Sequence, residues 1–137
     1  MSYLLDTSTC SDIMDDRPDT LARLAALPDT QAVQTCSIVR GELLFGIERM
    51  PAGKKRDRLA RRAEDVLRRM RCEAITQEAA NHYAVIKRMR EKDGRPLDEN
   101  DLWIAATSLA LGATLVTRDM DFSGIKGLAI ENWSQPA

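Results

Sequence analysis

RPLDENDLWIAATSLALGATLVTRDMDF, residues 95–122, reads as a loop, a helix, a tight turn, a strand and an acidic loop. Asp98, Glu99 and Asp101 gather where the helix should begin, and Asp119 and Asp121 follow the strand directly. Between them LWIAA and LAL leave the helix apolar on almost every side, the pattern of a helix held between layers and not one riding on a surface. Gly112 falls where a helix C-cap glycine belongs, and TLVT after it is a short β-branched run. A buried helix and a buried strand thus present acids at adjacent ends.

The same alternation runs through the chain. YLL is an apolar run that stops at Asp6, with Thr7, Ser8 and Thr9 as candidate caps of a helix through DIM. Pro18, Asp19 and Thr20 open a helix through LARLAAL that Pro28 and Asp29 end. A second strand is expected over Ala32–Cys36, followed by a helix capped by Ser37, IVRGELLFGIERM, with Leu43, Leu44 and Ile47 as core candidates. Pro51, Ala52 and Gly53 break the chain before a helix whose Leu59, Ala63, Val66, Leu67 and Met70 form one stripe and whose arginines lie mostly opposite. CEAIT is a candidate third strand, Thr76 caps a helix to about Lys92, and LAIEN is a last short strand before Trp133. Strands separated by helices predict one α/β domain over residues 1–137, a three-layer sandwich with a central, mainly parallel sheet.

The 137 residues are 44% hydrophobic, enough to close one core. Neither a membrane-span-length apolar run nor a signal peptide is present, which predicts a cytoplasmic protein. Cys10, Cys36 and Cys72 are odd in number and widely spaced, so they read as buried or half-buried thiols, not as disulfides or a zinc site. Net charge is −1, but Lys54, Lys55, Arg56, Arg58, Arg61, Arg62, Arg68, Arg69 and Arg71 concentrate in one stretch against Asp57, Glu64 and Asp65. The molecule is electrically polarised.

In parallel sheets, ligands bind outside the carboxyl ends of the strands. Asp6 and Asp119 lie at such ends, Glu42 lies early in the helix after the second strand, and Asp101 lies in the first helical turn before TLVT, so these acids can meet at one rim. Each also has a local reading. Asp98 with Asp101 resembles a capping box, Asp101 suits a helix N-terminus, and Asp6, Asp119 and Asp121 suit turns. Glu42 is followed by LLFGI, so its surroundings should be partly desolvated and need an arginine partner or a bound cation. Gathered carboxylates repel without a cation, and hard oxygen ligands select Mg²⁺ or Mn²⁺. His82 lies mid-helix and reads as a surface or packing residue. GxSxG, Walker GxxxxGK[ST] and GxGxxG are absent, which removes serine-hydrolase, P-loop and dinucleotide chemistry.

Taken together, YLLDTS, SIVRGELLFGIER, RPLDENDLWIAATSLALGATLVTRDMDF and the terminal LAIENW resemble the PIN-domain ribonucleases, and among them the VapC-like toxins of bacterial toxin–antitoxin pairs. The resemblance covers nearly the whole chain. It implies Asp6, Glu42, Asp101 and Asp119 as metal ligands and catalytic acids for Mg²⁺ or Mn²⁺. Thr117 falls at a hydroxyl position near the metals, and Ser8 stands where many relatives have asparagine. Asp98 lies where the family has no ligand, which leaves capping first and a supporting role second, and Asp121 competes with Asp119 only from further along the loop.

The resemblance further implies metal-dependent endonucleolytic hydrolysis of RNA, with transfer RNA as a possible substrate. A homodimer and a small VapB-like antitoxin, joined in a hetero-oligomer, are the implied partners. Lys54, Lys55, Arg58, Arg61 and Arg62 are candidate contacts to the RNA backbone, with a solvated helix face as the plain reading. An aromatic content of 4% argues against a base-stacking platform. The reading from another class is a catalytically silent PIN-fold module that binds nucleic acid or protein.

Overall fold

The computed structural model describes residues 1–135. Five strands form one sheet: β1 (Ser2–Leu5), β2 (Ala32–Cys36), β3 (Arg71–Glu73), β4 (Thr114–Val116) and β5 (Ile130–Glu131). They are ordered β3-β2-β1-β4-β5 and every pairing is parallel. The intervening helices are α1 (Thr7–Met14), α2 (Pro18–Ala25), α3 (Ser37–Glu48), α4 (Lys54–Arg68), α5 (Gln77–Lys92) and α6 (Glu99–Leu111), and a 3₁₀ turn covers Met120–Phe122. No helix of the described residues is long and apolar enough to cross a membrane.

The strand order dictates where a site can lie. From β1 the chain steps outward to β2 and β3, then returns past β1 to β4 and β5. Right-handed crossovers put the helices of the outward steps on one face and those of the return on the other. In keeping with this, α1 packs on α2 and α4, while α5 packs along α6. The direction reverses between β1 and β4, which makes the carboxyl end of that pair the topological switch point where open α/β sheets bind ligands. Register puts Leu5 beside Val116, and the Asp6 amide donates to the Val116 carbonyl at 3.1 Å, so Asp6 and Thr117 emerge abreast.

The predicted α/β sandwich is therefore observed, with a wholly parallel sheet. Leu4, Leu5, Leu115 and Val116 are fully buried in one core with Leu102 and Ile104 of α6, Phe122 of the 3₁₀ turn, Cys10 of α1 and Val39 of α3. Thr76 caps α5 by accepting from the Ala79 amide at 3.1 Å, as expected. Other local expectations are corrected. Ser37 lies inside α3 and its hydroxyl donates to the Glu73 carbonyl, so Cys36 takes the cap position without a side-chain bond. Leu44 is 40% exposed, one residue round the helix from buried Leu43. Cys72 is exposed because β3, the edge strand, is only Arg71–Glu73 and not the whole CEAIT run.

Gly112 closes α6 in the left-handed region, φ 63°, and an added Cβ would touch nothing. Gly112→Ala is therefore expected to cost only its backbone strain, about 1 kcal/mol, while Gly112→Asn costs less. Urea unfolding checks this, and equal stability of the alanine variant would contradict the cap assignment.

Candidate active site

Asp6 is positioned by the end of β1 and the start of α1. Its carboxylate Oδ1 accepts from the Thr9 amide at 2.9 Å and the Ser8 hydroxyl at 2.8 Å, so Asp6 itself caps α1 and not the hydroxyls of Thr7–Thr9. Only 5% of the residue is exposed. Burial pushes its pKa up, against the opposing hydrogen bonds from Thr117, Thr9 and Ser8. Both firm bonds fall on Oδ1, so Ser8 fixes the carboxylate's orientation while Oδ2 stays free of them.

Glu42 sits one turn and a half into α3. Its two oxygens accept from the Thr7 hydroxyl and from Asn100 Nδ2, the latter at 3.3 Å. Glu42 is half-buried, but only part of the LLFGI run encloses it. Leu44 faces outward and Phe45 is 64% exposed, with the Arg49 guanidinium over its ring. Thr7 and Asn100 are the residues that sequence reading missed here. Thr7 looked like a cap, and nothing in the spacing tied Asn100 to a residue in another helix.

Asp101 occupies the first turn of α6, half-buried. Its pKa is pushed up to about 6 by burial first, then by the negative charges of Asp98, Asp119, Glu42 and Asp6. Asp98 stands at the N-cap position of α6, but its side chain makes no capping bond. The capping box is therefore absent, and Asp98 acts on Asp101 as a nearby charge. Glu99 turns away to Tyr83 and Lys87.

Asp119 follows β4. Its amide donates to Thr117 Oγ1 at 2.9 Å, and its Oδ1 accepts from the Asp121 amide at 2.9 Å. Thr117 is fully buried, and its hydroxyl, which accepts from the Asp119 amide, also opposes the rise of the Asp6 pKa, so it sits between the strand-end acids of β1 and β4. Asp121 is exposed, and among the described residues its side chain makes no hydrogen bond or ion pair. Between them, Arg118 reaches back to Asp12 on α1, Nε to Oδ2 at 3.3 Å.

Asp6, Glu42, Asp101 and Asp119 are thus brought to one rim, near enough for the other three to raise Asp101. Among the described residues none of them pairs with lysine or arginine; the buried acid that does is Asp12. No group of three or more acid, histidine or cysteine side chains among those residues is drawn into a ready-made cation cage. An all-oxygen set whose charges the protein leaves uncompensated nevertheless fits a hard divalent cation and no soft one. The buried Cys10 and Cys36 thiols do not compete, since burial raises both, Cys10 to about 12.

The PIN domain family signature matches residues 3–128. The chain belongs to the PIN-domain family, in its VapC-like branch. Its relatives include the VapC ribonuclease Y4jK of Sinorhizobium fredii, 33% identical over 98% of this chain and 99% of that one. They also include the tRNA(fMet)-specific endonuclease VapC of Salmonella typhimurium, 26% identical over 97% and 98%. Among solved structures, VapBC2 from Rickettsia felis bound to a DNA fragment from its promoter superposes with a TM-score of 0.88, at 29% identity over 97% of this chain and 99% of that one.

In this PIN domain, Lys54, Lys55, Arg58 and Arg61 are exposed on α4. Arg62 is not free in the same way. It donates to the Met14 carbonyl at 3.2 Å and the Ile13 carbonyl at 3.4 Å, and pairs with Asp16, fastening α4 to the end of α1. His82 lies half-buried on α5, away from the four acids, as its packing reading expected.

The raised Asp101 pKa carries a stability sign. Its folded-state value, about 6, exceeds its ordinary 3.8, so its contribution is present at low pH and lost as pH rises through the folded value. Without added metal, the protein is expected to gain stability between about pH 7.5 and about pH 5. Asp101→Asn should reduce that slope to the part carried by the raised Asp6 carboxyl and raise stability at neutral pH by about 1 kcal/mol after solvent screening. Thermal melts in EDTA check this; an unchanged slope in the variant would reject the repulsion.

Proposed function

We propose that this protein is a divalent-metal-dependent endoribonuclease, the toxin half of a toxin–antitoxin pair. The observation that carries the reading is the convergence of Asp6, Glu42, Asp101 and Asp119 at the switch point without a cationic partner. Solubility and capping, the duties left to these acids in a silent binding module, require neither their convergence nor the burial of Asp6. The VapC-like relatives that are named ribonucleases support the reaction class.

Mg²⁺ or Mn²⁺ is the group the four carboxylates would hold. When bound, such a cation lowers the pKa of water and stabilises the charge that develops on the phosphate. The chain's own residues do the positioning. Ser8 and the Thr9 amide orient the Asp6 carboxylate, Thr7 and Asn100 orient Glu42, and Thr117 accepts from the Asp119 amide to hold the turn that carries it. Proton transfer needs no histidine, and His82 is elsewhere. Water is the nucleophile, so the products carry 5′-phosphate and 3′-hydroxyl ends.

Structured RNA is the substrate class, with transfer RNA suggested by the Salmonella relative's name. Lys54, Lys55, Arg58 and Arg61 supply phosphate contacts. The partner is a VapB-like antitoxin, as in the VapBC complexes that share this fold, and homodimerisation belongs to the same reading.

Purified protein is expected to cleave RNA with Mn²⁺ or Mg²⁺, to stop in EDTA, and to lose at least about a hundredfold in rate in Asp6→Ala and Asp101→Asn. Folded variants that keep full activity would overturn the site, and a 2′,3′-cyclic phosphate product would overturn the water mechanism. Arg58→Glu with Arg61→Glu should weaken RNA binding and flatten its log–log salt slope by roughly 0.7–0.9 for each phosphate no longer neutralised. An unchanged slope would remove α4 from the RNA interface.

A further inference from the structure

Arg90 is the most conspicuous charged group that the proposed chemistry does not use. It lies in the last turn of α5, in the polar run RMREK, yet only 6% of it is exposed. A buried guanidinium is costly unless its charge is met. No carboxylate among the described residues forms an ion pair with Arg90. Three backbone carbonyls meet it instead. Nε donates to Arg95 O at 2.7 Å, Nη1 to Ser123 O at 3.2 Å, and Nη2 to Asp121 O at 3.1 Å.

The three acceptors belong to two separate segments, and each segment carries one of the rim acids. Arg95 begins the loop that leads into α6 and Asp101. Its amide also donates to the Arg90 carbonyl at 3.0 Å, so that loop is fastened to Arg90 through both backbone and side chain. Asp121 and Ser123 lie in the turn after Asp119. Asp121 is gripped from two sides: its carbonyl accepts from Arg90, and its amide donates to Asp119 Oδ1 at 2.9 Å. A path of hydrogen bonds therefore runs from Arg90 through the Asp121 backbone to the Asp119 carboxylate.

We infer that Arg90 is a positioning residue for the carboxylate rim, a planar clamp that sets the Asp119 turn and the loop before Asp101 at a fixed separation. The fork shape of the guanidinium is what such a clamp requires, because its donors point in fixed, divergent directions within one plane. A lysine keeps the charge but not that geometry. The inference rests on the metal-dependent reading of the rim for its consequence, though not for the clamp itself.

The test uses the full chain with Arg90→Lys and Arg90→Met, and with Ile86→Ala, a buried change on the same helix, as a control for reduced stability. Hydrogen exchange on the metal-free protein should show amides of residues 119–123 exchanging at least about tenfold faster in both Arg90 variants, with β1 and β4 still protected. Mn²⁺ titration followed by electron paramagnetic resonance should show affinity weakened about tenfold or more, while Ile86→Ala stays within about twofold of the parent at a comparable drop in Tm. High Mn²⁺ should restore the cleavage rate with RNA KM unchanged.

Unchanged exchange at 119–123 in folded Arg90→Lys overturns the clamp. Equal weakening of Mn²⁺ binding by Ile86→Ala reduces Arg90 to general stability and also overturns the inference. If the parent itself binds no Mn²⁺, the metal reading falls, and the exchange comparison still decides whether Arg90 holds the Asp119 turn.

Discussion

Asp6, Glu42, Asp101 and Asp119 repel one another, and no lysine or arginine of the described residues is placed to relieve them. The apolar residues that offset this repulsion lie directly beneath it. Leu4, Leu5, Leu115 and Val116 are fully buried in the two strands that meet at the rim. The parallel register of β1 with β4 then leaves the acids no route apart, because Asp6 is bonded to Val116 and Thr9 Oγ1 donates to the same carbonyl at 3.0 Å.

The buried charges of the described residues are met in two ways, Asp12 by an arginine and Asp6 and Arg90 by neutral groups alone. Asp12, one and a half turns along α1 from Asp6, has Arg118 beside it. Arg90 has its three carbonyls. Folding alone would have favoured an ion pair like that of Asp12, or a neutral side chain, at Asp6 or Asp101. Acids without an ion-pair partner at the point where the chain reverses direction sacrifice stability in the free protein, which the proposed cation would restore on binding.

Much of this was legible in the residues. The alternation of short β-branched runs with amphipathic stretches placed β2 at Ala32–Cys36 and ended α5 at Lys92, and the break of each apolar run at an acid placed Asp6 and Asp119 at strand ends. What a linear pattern hides is which way a side chain turns. Thr7 lies among capping hydroxyls yet reaches across to Glu42, and Asp98 has the cap position without the cap bond. Of the core candidates Leu43, Leu44 and Ile47, Leu44 turns outward while the other two are buried. Arg90, of which the linear pattern says nothing, is a cation in a polar run whose burial follows from two loops distant in sequence folding over it.

The supports of the four acids differ in kind. Asp101 rides on a helix fixed at both ends. Trp103 stacks on Tyr83 of α5 at 3.9 Å and Lys87 bonds Glu99 near the start of α6, while Gly112 and the Ala113 amide bonded to Ser108 close its end. Glu42 rides on α3, and Asp6 joins a central strand to a helix cap. Only Asp119 depends on irregular backbone, where no ladder of repeated hydrogen bonds resists displacement by its neighbours' charge. A loop in that position keeps its carboxylate in place only if bonds from outside hold the backbone around it. Thr117 supplies one on the strand side, and the Arg90 guanidinium supplies two on the far side, at Asp121 and Ser123. A buried cation is thus committed to backbone carbonyls at the end of the rim where regular structure runs out, which keeps it from neutralising the acids it steadies.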